Sequence, residues 1–190
     1  MRYSTINPEL FLLNRRRFTR KMLPESIAIF HSNDLMPRNG DLYYPFRQNS
    51  DLFYLCGLDQ AETILVLFPN CIKEGFRELV FIKRTDKFTA RWEGQKYSKE
   101  EARAVSGIEK VYWVDEMDNI LNELILLAKR IYVNTNENDR FNSDVVSRDL
   151  RFTKKLMDRY PVHKYHRAQP IMKKLAMIKS NYEIELVQEA

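Results

Sequence analysis

The spacing of apolar residues predicts a helix and then a buried strand at the start of the chain. Over residues 10–23 the apolar side chains gather on one side of a helical projection, as in an amphipathic helix. Asn7 and Pro8 suit the start of that helix, because asparagine caps helices and proline fits their first turn. Residues 26–31 follow as a short apolar strand.

Three further apolar runs predict an antiparallel meander. They span residues 51–57, 63–68 and 78–83 and are joined by short links. The middle run is unbroken in its apolar character, which is typical of a strand covered on both faces. Because the links are short, consecutive strands are expected to pair with each other. Residues 32–41 contain Asn, Pro and Gly and are predicted to form a loop.

Helical and strand patterns alternate in the second half of the chain. Ser98 and Glu101 form a capping box that opens a short helix ending at Gly107. Asp115 is placed to cap a strongly amphipathic helix, and a further helix is predicted over about 143–159. Strands are predicted at 110–114 and 130–133. This alternation after a meander predicts an α/β domain of three layers with a mixed sheet.

The composition narrows the class of protein. The 190 residues include 31 Lys and Arg and 26 Asp and Glu, so the net charge of +5 is spread over a mixed surface. No apolar run reaches the ~20 residues of a membrane-spanning helix, and the amino terminus lacks the apolar core of a signal peptide. We therefore expect a cytoplasmic protein without a membrane partner, in which Cys56 and Cys71 are buried free thiols.

Side chains that could carry catalysis lack suitable neighbours in the sequence. His163 and His166 lie in a basic connector without the cysteine or acidic partners of a zinc site, so surface or capping roles are favoured. Cys56 has no histidine beside it, which favours a structural thiol over a nucleophile. Asp34 and Asp51 could stand at adjacent strand ends as metal ligands, but each is near an arginine, which favours loop-fixing ion pairs.

The polar run from Tyr44 to Asp51 has two compatible interpretations. In a structural corner, Asp51 would accept hydrogen bonds from loop amides and pair with Arg47. In an interface, Arg47 would act together with the neighbouring aromatic residues, because arginine and aromatic side chains dominate binding hot spots. Gln48 and Asn49 belong to the same candidate site.

Trp92 lies in a polar excursion of the chain over residues 85–97, between Lys87 and Lys96. Its indole either folds back onto the sheet or is held out for a partner. The polar neighbours of the indole favour the partner, because an exposed indole leaves a large apolar area in water.

Several segments together resemble the amino-terminal, non-catalytic domain of Xaa-Pro aminopeptidases (aminopeptidase P), relatives of creatinase and prolidase. The segments are 15–18, 44–57, 64–68, 89–92 with Gly94, and 177–186. The second of them, YPFRQNSDLFYLCG, is long and specific. The last resembles the first helix of the family's catalytic domain. We therefore expect residues 1–167 to form the amino-terminal domain, and 168–190 to be a linker and the start of a catalytic domain in a longer protein.

The resemblance implies a mixed, mainly six-stranded sheet flanked by helices on both faces, with ribonuclease H-like topology. It implies that catalysis resides in a following pita-bread domain, where two divalent metals, typically manganese, activate a hydroxide that attacks the bond before a proline. This chain would then hold no metal and no catalytic residue, and would be inactive alone. Its expected partners are its own catalytic domain and the other subunits of a homo-oligomer, with no nucleic acid. A proline-containing peptide is the substrate of the parent enzyme.

The resemblance also gives the candidate residues a role. In the family, this domain helps to build the oligomer and walls the active-site entrance, sometimes that of a neighbouring subunit. Trp92 matches a tryptophan thought to line that entrance. The other residues of this candidate gating and interface site are Tyr44, Arg47, Gln48, Asn49 and Asp51. The alternative is a stand-alone, ribonuclease H-like module that binds nucleic acid or a protein partner, which a stop codon just after Ala190 would support.

Overall fold

A six-stranded mixed sheet forms the centre of the computed structural model, which describes residues 6–85, 90, 91, 94–138, 140 and 144–189. Its strands are β1 (Ser26–His31), β4 (Ile64–Leu67), β5 (Glu78–Ile82), β6 (Lys110–Trp113), β7 (Arg130–Val133) and β8 (Lys164–Arg167). They lie in the order β6-β5-β4-β1-β7-β8. A separate two-stranded ribbon consists of β2 (Pro37–Asn39) and β3 (Leu42–Tyr43).

The central strand, β1, joins two kinds of pairing. It runs antiparallel to β4 and parallel to β7, and β4 runs antiparallel to β5. The outer pairs, β5 with β6 and β7 with β8, are parallel. An antiparallel meander is therefore present, but its members are β1, β4 and β5.

Helices cover both faces of the sheet, so the predicted three-layer α/β architecture is confirmed. One face is covered by α1 (Pro8–Thr19), α2 (Ser50–Cys56), α3 (Lys99–Ser106) and α6 (Gln169–Met177). The other face is covered by α4 (Met117–Leu127) and α5 (Arg148–Arg159). A last helix, α7 (Asn181–Glu189), buries none of its described side chains fully. Among the described residues, no helix combines the length and apolar character needed to cross a membrane.

The alternation of side chains along β1 shows how the two cores are separated. All six residues of β1 are buried, because helices cover the sheet on both sides. Ala28 and Phe30 belong to the core beneath α1, α2, α3 and α6. There the rings of Phe18 and Phe30 pack edge to face, with their centroids 5.2 Å apart. Ile27 and Ile29 point the opposite way, into the core beneath α4 and α5.

Residues Ser50–Cys56 form a helix, so the strand predicted at 51–57 is wrong. The side-chain oxygen of Asn49 caps the helix by accepting hydrogen bonds from the backbone N–H groups of Asp51 (3.0 Å) and Leu52 (3.2 Å). Gly57 ends it in the left-handed conformation, with φ of 69°. The buried side chains have helical spacing and are Leu52, Leu55 and Cys56.

Smaller differences concern the ends of elements. The ribbon of β2 and β3 begins within the predicted loop 32–41. A 3-10 turn, Val114–Glu116, precedes α4, so Asp115 does not cap that helix. Helix α5 begins at Arg148 rather than near 143, because the Ser147 side chain caps it there. Strand β8 was not predicted, whereas the capping box of α3 and the strands β1, β4, β5, β6 and β7 are confirmed.

Candidate functional site

The Gln48 side chain fixes the polar run to the loop that follows α2. Its Nε2 donates hydrogen bonds to the carbonyl oxygens of Leu58 (2.8 Å) and Gln60 (2.9 Å). Its Oε1 accepts a hydrogen bond from the backbone N–H of Asn49 (2.8 Å). Both N–H groups and the oxygen of this amide are therefore used within the fold, and the role of Gln48 in the structure is to hold a corner.

The carboxylate of Asp51 joins three elements. Its Oδ2 accepts hydrogen bonds from the side-chain amides of Asn134 (3.0 Å) and Gln169. Gln169 also donates to Oδ1 of Asn134 at 3.0 Å. Because Asn134 follows β7 and Gln169 opens α6, the three side chains connect α2, β7 and α6. The predicted partner of Asp51, Arg47, is not among these contacts.

Asp149, in the first turn of α5, is a buried carboxylate beside this network, whereas Asp51 is half-buried. Asn49 contacts its Oδ2 through Nδ2 at 3.5 Å, and His31 Nδ1 lies 3.4 Å from its Oδ1. The distance from His31 suits an ion pair, but Nδ1 has no well-oriented hydrogen-bond partner among the described residues. Burial raises the pKa of Asp149 above its ordinary value, and His31 opposes that shift only in part. We call the following residues the polar corner: Gln48, Asn49, Asp51, Asn134, Asp149 and Gln169.

Two features that would indicate catalysis, a cluster of metal ligands and a reactive thiol, are missing around the polar corner in the described part of the chain. No three His, Cys, Asp or Glu side chains in these ranges lie close enough together to hold a metal ion. The nearby thiol of Cys56 is fully buried, and burial raises its pKa to about 11. A thiol with that pKa stays protonated at neutral pH and is a poor nucleophile. The contacts of the polar corner instead fix α2, α5 and α6 against the sheet.

Tyr44 and Arg47 differ from the polar corner because their side chains point away from the fold. Both residues are exposed, and their hydrogen bonds to the described residues come from the backbone. The N–H of Tyr44 donates to the carbonyl of Met36 (2.9 Å), and the carbonyl of Arg47 accepts from Nδ2 of Asn33 (3.0 Å). Their side chains are therefore available to a partner.

Tyr44 extends an exposed apolar surface on the ribbon of β2 and β3. We call this the ribbon surface: Met36, Leu42, Tyr43 and Tyr44, whose exposed fractions lie between 44% and 59%. All residues of the two strands are exposed, so the ribbon has no core of its own. A two-stranded ribbon alone is marginally stable in water, and clustered exposed apolar side chains are typical of interaction sites.

Trp92 lies outside the described residues, but both ends of its excursion are placed. The N–H of Tyr97 donates to Oε1 of Gln60 (2.7 Å), and Nε2 of Gln60 donates to the carbonyl of Lys83 (3.4 Å). Gln48 in turn binds the carbonyl of Gln60. The segment that carries Trp92 is therefore tied at its base to the polar run.

The remaining predicted acid has a different partner from the one expected. Asp34 binds Arg151 through both oxygens, at 2.8 and 2.9 Å, rather than its sequence neighbour Arg38. It pairs with α5, whereas Asp51 pairs with side chains that follow β7 and open α6. The two carboxylates thus hold different elements, and the choice of partner depended on contacts about 100 residues away in the chain, which the sequence does not show.

The side chains of His163, His166 and the two cysteines contact other parts of the fold. His163 Nε2 lies 3.0 Å from the carbonyl of Ile125 near the end of α4, which fits capping, one of the two roles that the sequence favoured. His166 is part of β8 and stacks on Tyr132. Cys56 and Cys71 are buried free thiols, as predicted.

Sequence reasoning missed three members of the polar corner: Asn134, Asp149 and Gln169. Each stands next to an element boundary, since Asn134 follows β7, Asp149 lies in the first turn of α5 and Gln169 opens α6. Polar residues at the carboxyl ends of parallel strands commonly meet in space. That rule could have indicated Asn134 if the parallel pairing of β1 with β7 had been known.

Comparison with known proteins places this arrangement in a family. The family model described as "Aminopeptidase P, N-terminal domain" matches residues 11–132. The Xaa-Pro aminopeptidase of Haemophilus influenzae is 25% identical over 182 residues, which are 96% of this chain and 40% of that protein. Human Xaa-Pro aminopeptidase 3 is 24% identical over 170 residues, which are 87% of this chain and 32% of that protein.

Solved structures agree with the sequence comparison. A Bacillus anthracis protein assigned as an aminopeptidase P is 26% identical, with a TM-score of 0.86 over 97% of this chain and 44% of that chain. Aminopeptidase PepP of Pseudomonas aeruginosa shares the fold at 22% identity, with a TM-score of 0.79 over 95% of this chain and 40% of that chain. This chain spans less than half the length of each of these proteins. It belongs to the family of aminopeptidase P amino-terminal domains.

Proposed function

We propose that this chain is the amino-terminal, non-catalytic domain of a metal-dependent Xaa-Pro aminopeptidase, where it builds subunit contacts and walls the active-site entrance. The parent enzyme would remove the first residue from peptides with proline in second position. Two divalent metals, manganese by expectation, would lie in its catalytic domain, since the described residues of this chain offer no ligand cluster. Relatives named Xaa-Pro aminopeptidase, whose length this chain covers only in part, support this assignment.

One observation carries the interface part of the proposal: the polar run combines a rigid base with free side chains. Gln48, Asn49 and Asp51 are used in hydrogen bonds inside the fold. Tyr44 and Arg47 are exposed. A rigid base lowers the conformational entropy that exposed side chains lose on binding. Aromatic and arginine side chains on such a base are the usual components of hot spots.

The ribbon surface is the proposed contact with another subunit of the parent. Replacing Leu42 and Tyr44 by serine should weaken the oligomer, because the ribbon surface would lose two of its four exposed apolar side chains. The matched control replaces Ile72 and Val162 by serine. These residues are 79% and 92% exposed and lie at the opposite end of the sheet from the ribbon. In sedimentation experiments on the parent enzyme, the ribbon variant should dissociate at higher protein concentrations than the wild type does. The control variant should dissociate over the same concentrations as the wild type. Identical sedimentation of both variants and the wild type would refute this contact.

Trp92 is the proposed wall of the entrance, because its excursion is tied at Tyr97 to Gln60 and thus to the polar run. Replacing it with alanine in the parent should lower kcat/KM about 5- to 150-fold. Metal content and melting temperature should stay the same. Trp113 is the comparison, since it packs on the core with Arg84 and Lys99 over its ring. Trp113→Ala should lower the melting temperature, and the same response from Trp92→Ala would make that indole a core residue.

The activity itself is tested with an Arg-Pro-Pro peptide and manganese. The full-length parent should release arginine, and this chain alone should release none above the buffer background. Calorimetry should show no stoichiometric manganese binding to this chain. Cleavage or tight metal binding by the chain alone would place the chemistry here and overturn the proposal.

A further inference from the structure

A further surface lies between α1 and α6, separate from the polar corner and from the ribbon surface. It is an open groove of about 780 Å³. Its apolar lining comes mainly from α6 and the residue after it, and consists of Pro170, Ile171, Leu175, Met177 and Ile178. Met177 and Ile178 are 81% and 70% exposed. Large apolar side chains with this much exposure at a groove are typical of a surface that is covered by a partner.

The charge of the groove has one sign. Four of its nine lining residues are cationic: Arg17, Arg20, Lys21 and Lys174. None of the nine is acidic. Among the described residues, no acidic side chain pairs with Arg20, Lys21 or Lys174, whose side chains are exposed. A partner that brings carboxylates to this rim would therefore gain charge pairs that the described residues do not already make.

The edge of the groove already contacts an acidic helix. Arg17 donates hydrogen bonds from Nη2 to the carbonyls of Ile178 (3.0 Å) and Leu175 (3.4 Å), and its Nη1 lies 3.9 Å from Glu183 of α7. Helix α7 carries three glutamates and no basic residue. Its own side chains do not line the groove, so the rest of the surface stays open.

We infer that this groove is the docking site of an acidic amphipathic helix from the catalytic part of the same polypeptide, an inference that rests on the proposed function. Apolar side chains of the helix would cover Ile171, Met177 and Ile178, and its carboxylates would meet the cationic rim. The chain passes from the groove at Ile178 directly into α7. A segment of the same polypeptide would thus start beside the groove at high effective concentration, which a separate partner lacks. The groove would then fix the orientation of the catalytic part.

Hydrogen exchange measured by mass spectrometry tests the inference on the full-length polypeptide and on this chain. Amides of residues 169–178 should exchange at least about tenfold more slowly in the full-length protein, because the docked helix covers them. Arg20→Glu combined with Lys174→Glu should restore the rate seen in this chain, and 1 M NaCl should act in the same direction by screening charge. The matched control is Lys154→Glu with Lys155→Glu on the exposed side of α5, an equal change of charge that should leave the protection intact.

Equal exchange rates in the full-length protein and this chain would overturn the inference, as would an equal effect of the control pair. Protection that increases with the concentration of this chain would assign the groove to a second copy instead, which also overturns it. If the charge-reversed pair fails to fold by circular dichroism, Arg20→Gln with Lys174→Gln should still reduce the protection. If amides 169–178 are protected in a full-length protein that does not cleave Xaa-Pro peptides, the proposed function is refuted but the docking site is still supported.

Discussion

At the scale of single residues, one buried arginine connects four elements. Arg15 of α1 has no solvent exposure. Its Nε donates to Glu78 of β5 at 2.9 Å, and its Nη1 donates to the carbonyls of Leu55 and Ser106, each at 2.9 Å. Those carbonyls lie in the last turns of α2 and α3, where the helix dipole favours a cation. A buried charge needs such partners, because it has given up its hydration.

Replacing Arg15 with methionine should therefore lower the free energy of unfolding by about 3 kcal/mol, since two buried carbonyls and Glu78 lose their donor. Urea unfolding of this chain measures the effect. The control is Arg16→Met, because Arg16 is exposed in the same helix and should change stability by less than about 0.5 kcal/mol. Equal losses for the two variants would mean that the partners of Arg15 contribute little. In the sequence the arginines at 15, 16 and 17 look alike, so only the packing of α1 distinguishes them.

Gly57 is required for two reasons that can be separated. Its φ is 69°, and a Cβ there would lie 2.3 Å from the ring of Phe11. Gly57→Ala should lower the free energy of unfolding by about 2–5 kcal/mol, from left-handed backbone strain and from the clash together. Gly40 has φ of 54°, and a Cβ added there would meet no atom within 4 Å, so Gly40→Ala should cost only about 1–2 kcal/mol for the backbone. Similar losses measured by thermal unfolding would show that Phe11 moves aside.

At the scale of elements, α2 shows where the sequence misleads. Leucine, phenylalanine and tyrosine in a short run favour a strand on propensity. The decisive information lay at the two ends, in the cap at Asn49 and the left-handed Gly57, which together bound a helix of seven residues. Strand β8 was missed because its residues show no apolar pattern that would indicate a strand. Its residues are polar or only half-buried, and β8 is a strand because β7 offers it a parallel edge.

The cap of α2 can be tested by itself. Asn49→Ala should lower the free energy of unfolding by about 1–2 kcal/mol, because the backbone N–H groups of Asp51 and Leu52 lose their acceptor. Ser50→Ala is the control, since Ser50 is exposed and follows the cap directly. Guanidinium unfolding of the two variants should separate them clearly. A larger loss for Ser50→Ala would contradict the cap assignment.

At the scale of the whole molecule, the layers were predictable but the strand order was not. The periodicity of the chain identifies helices and buried strands, and their alternation identifies the three-layer class. The order of strands depends on pairing such as Ser26 with Arg130 and Ile29 with Val133. These contacts join residues about 100 positions apart, and no local pattern encodes them. The same limit applies to the polar corner, whose members come from four separate parts of the chain.

The packing of the last two helices predicts where protection against exchange ends. Residues 168–190 were expected to be a linker and the start of the catalytic domain, and within them α6 places Met172 and Leu175 in the core beside α1. Helix α7 buries none of its described residues. In this chain, we expect amides of 172–177 to exchange at least about tenfold more slowly than those of 184–189. Equal exchange rates in the two helices would contradict this prediction, as would amides of 184–189 that exchange as slowly as those of β4. We propose that the boundary of the domain lies after α6.

The position of β1 in the sheet has a consequence for synthesis. Once residue 68 has left the ribosome, β1 can pair with β4, but its other edge has no partner until β7 is complete at Val133. At ~5–20 residues per second, this interval of 65 residues (133 − 68) lasts roughly 3–13 s. During that time an apolar strand, Ser26–His31, presents an open edge on which another nascent chain can add. The yield of folded protein should therefore depend on codon usage between those two points and on chaperones that shield the edge.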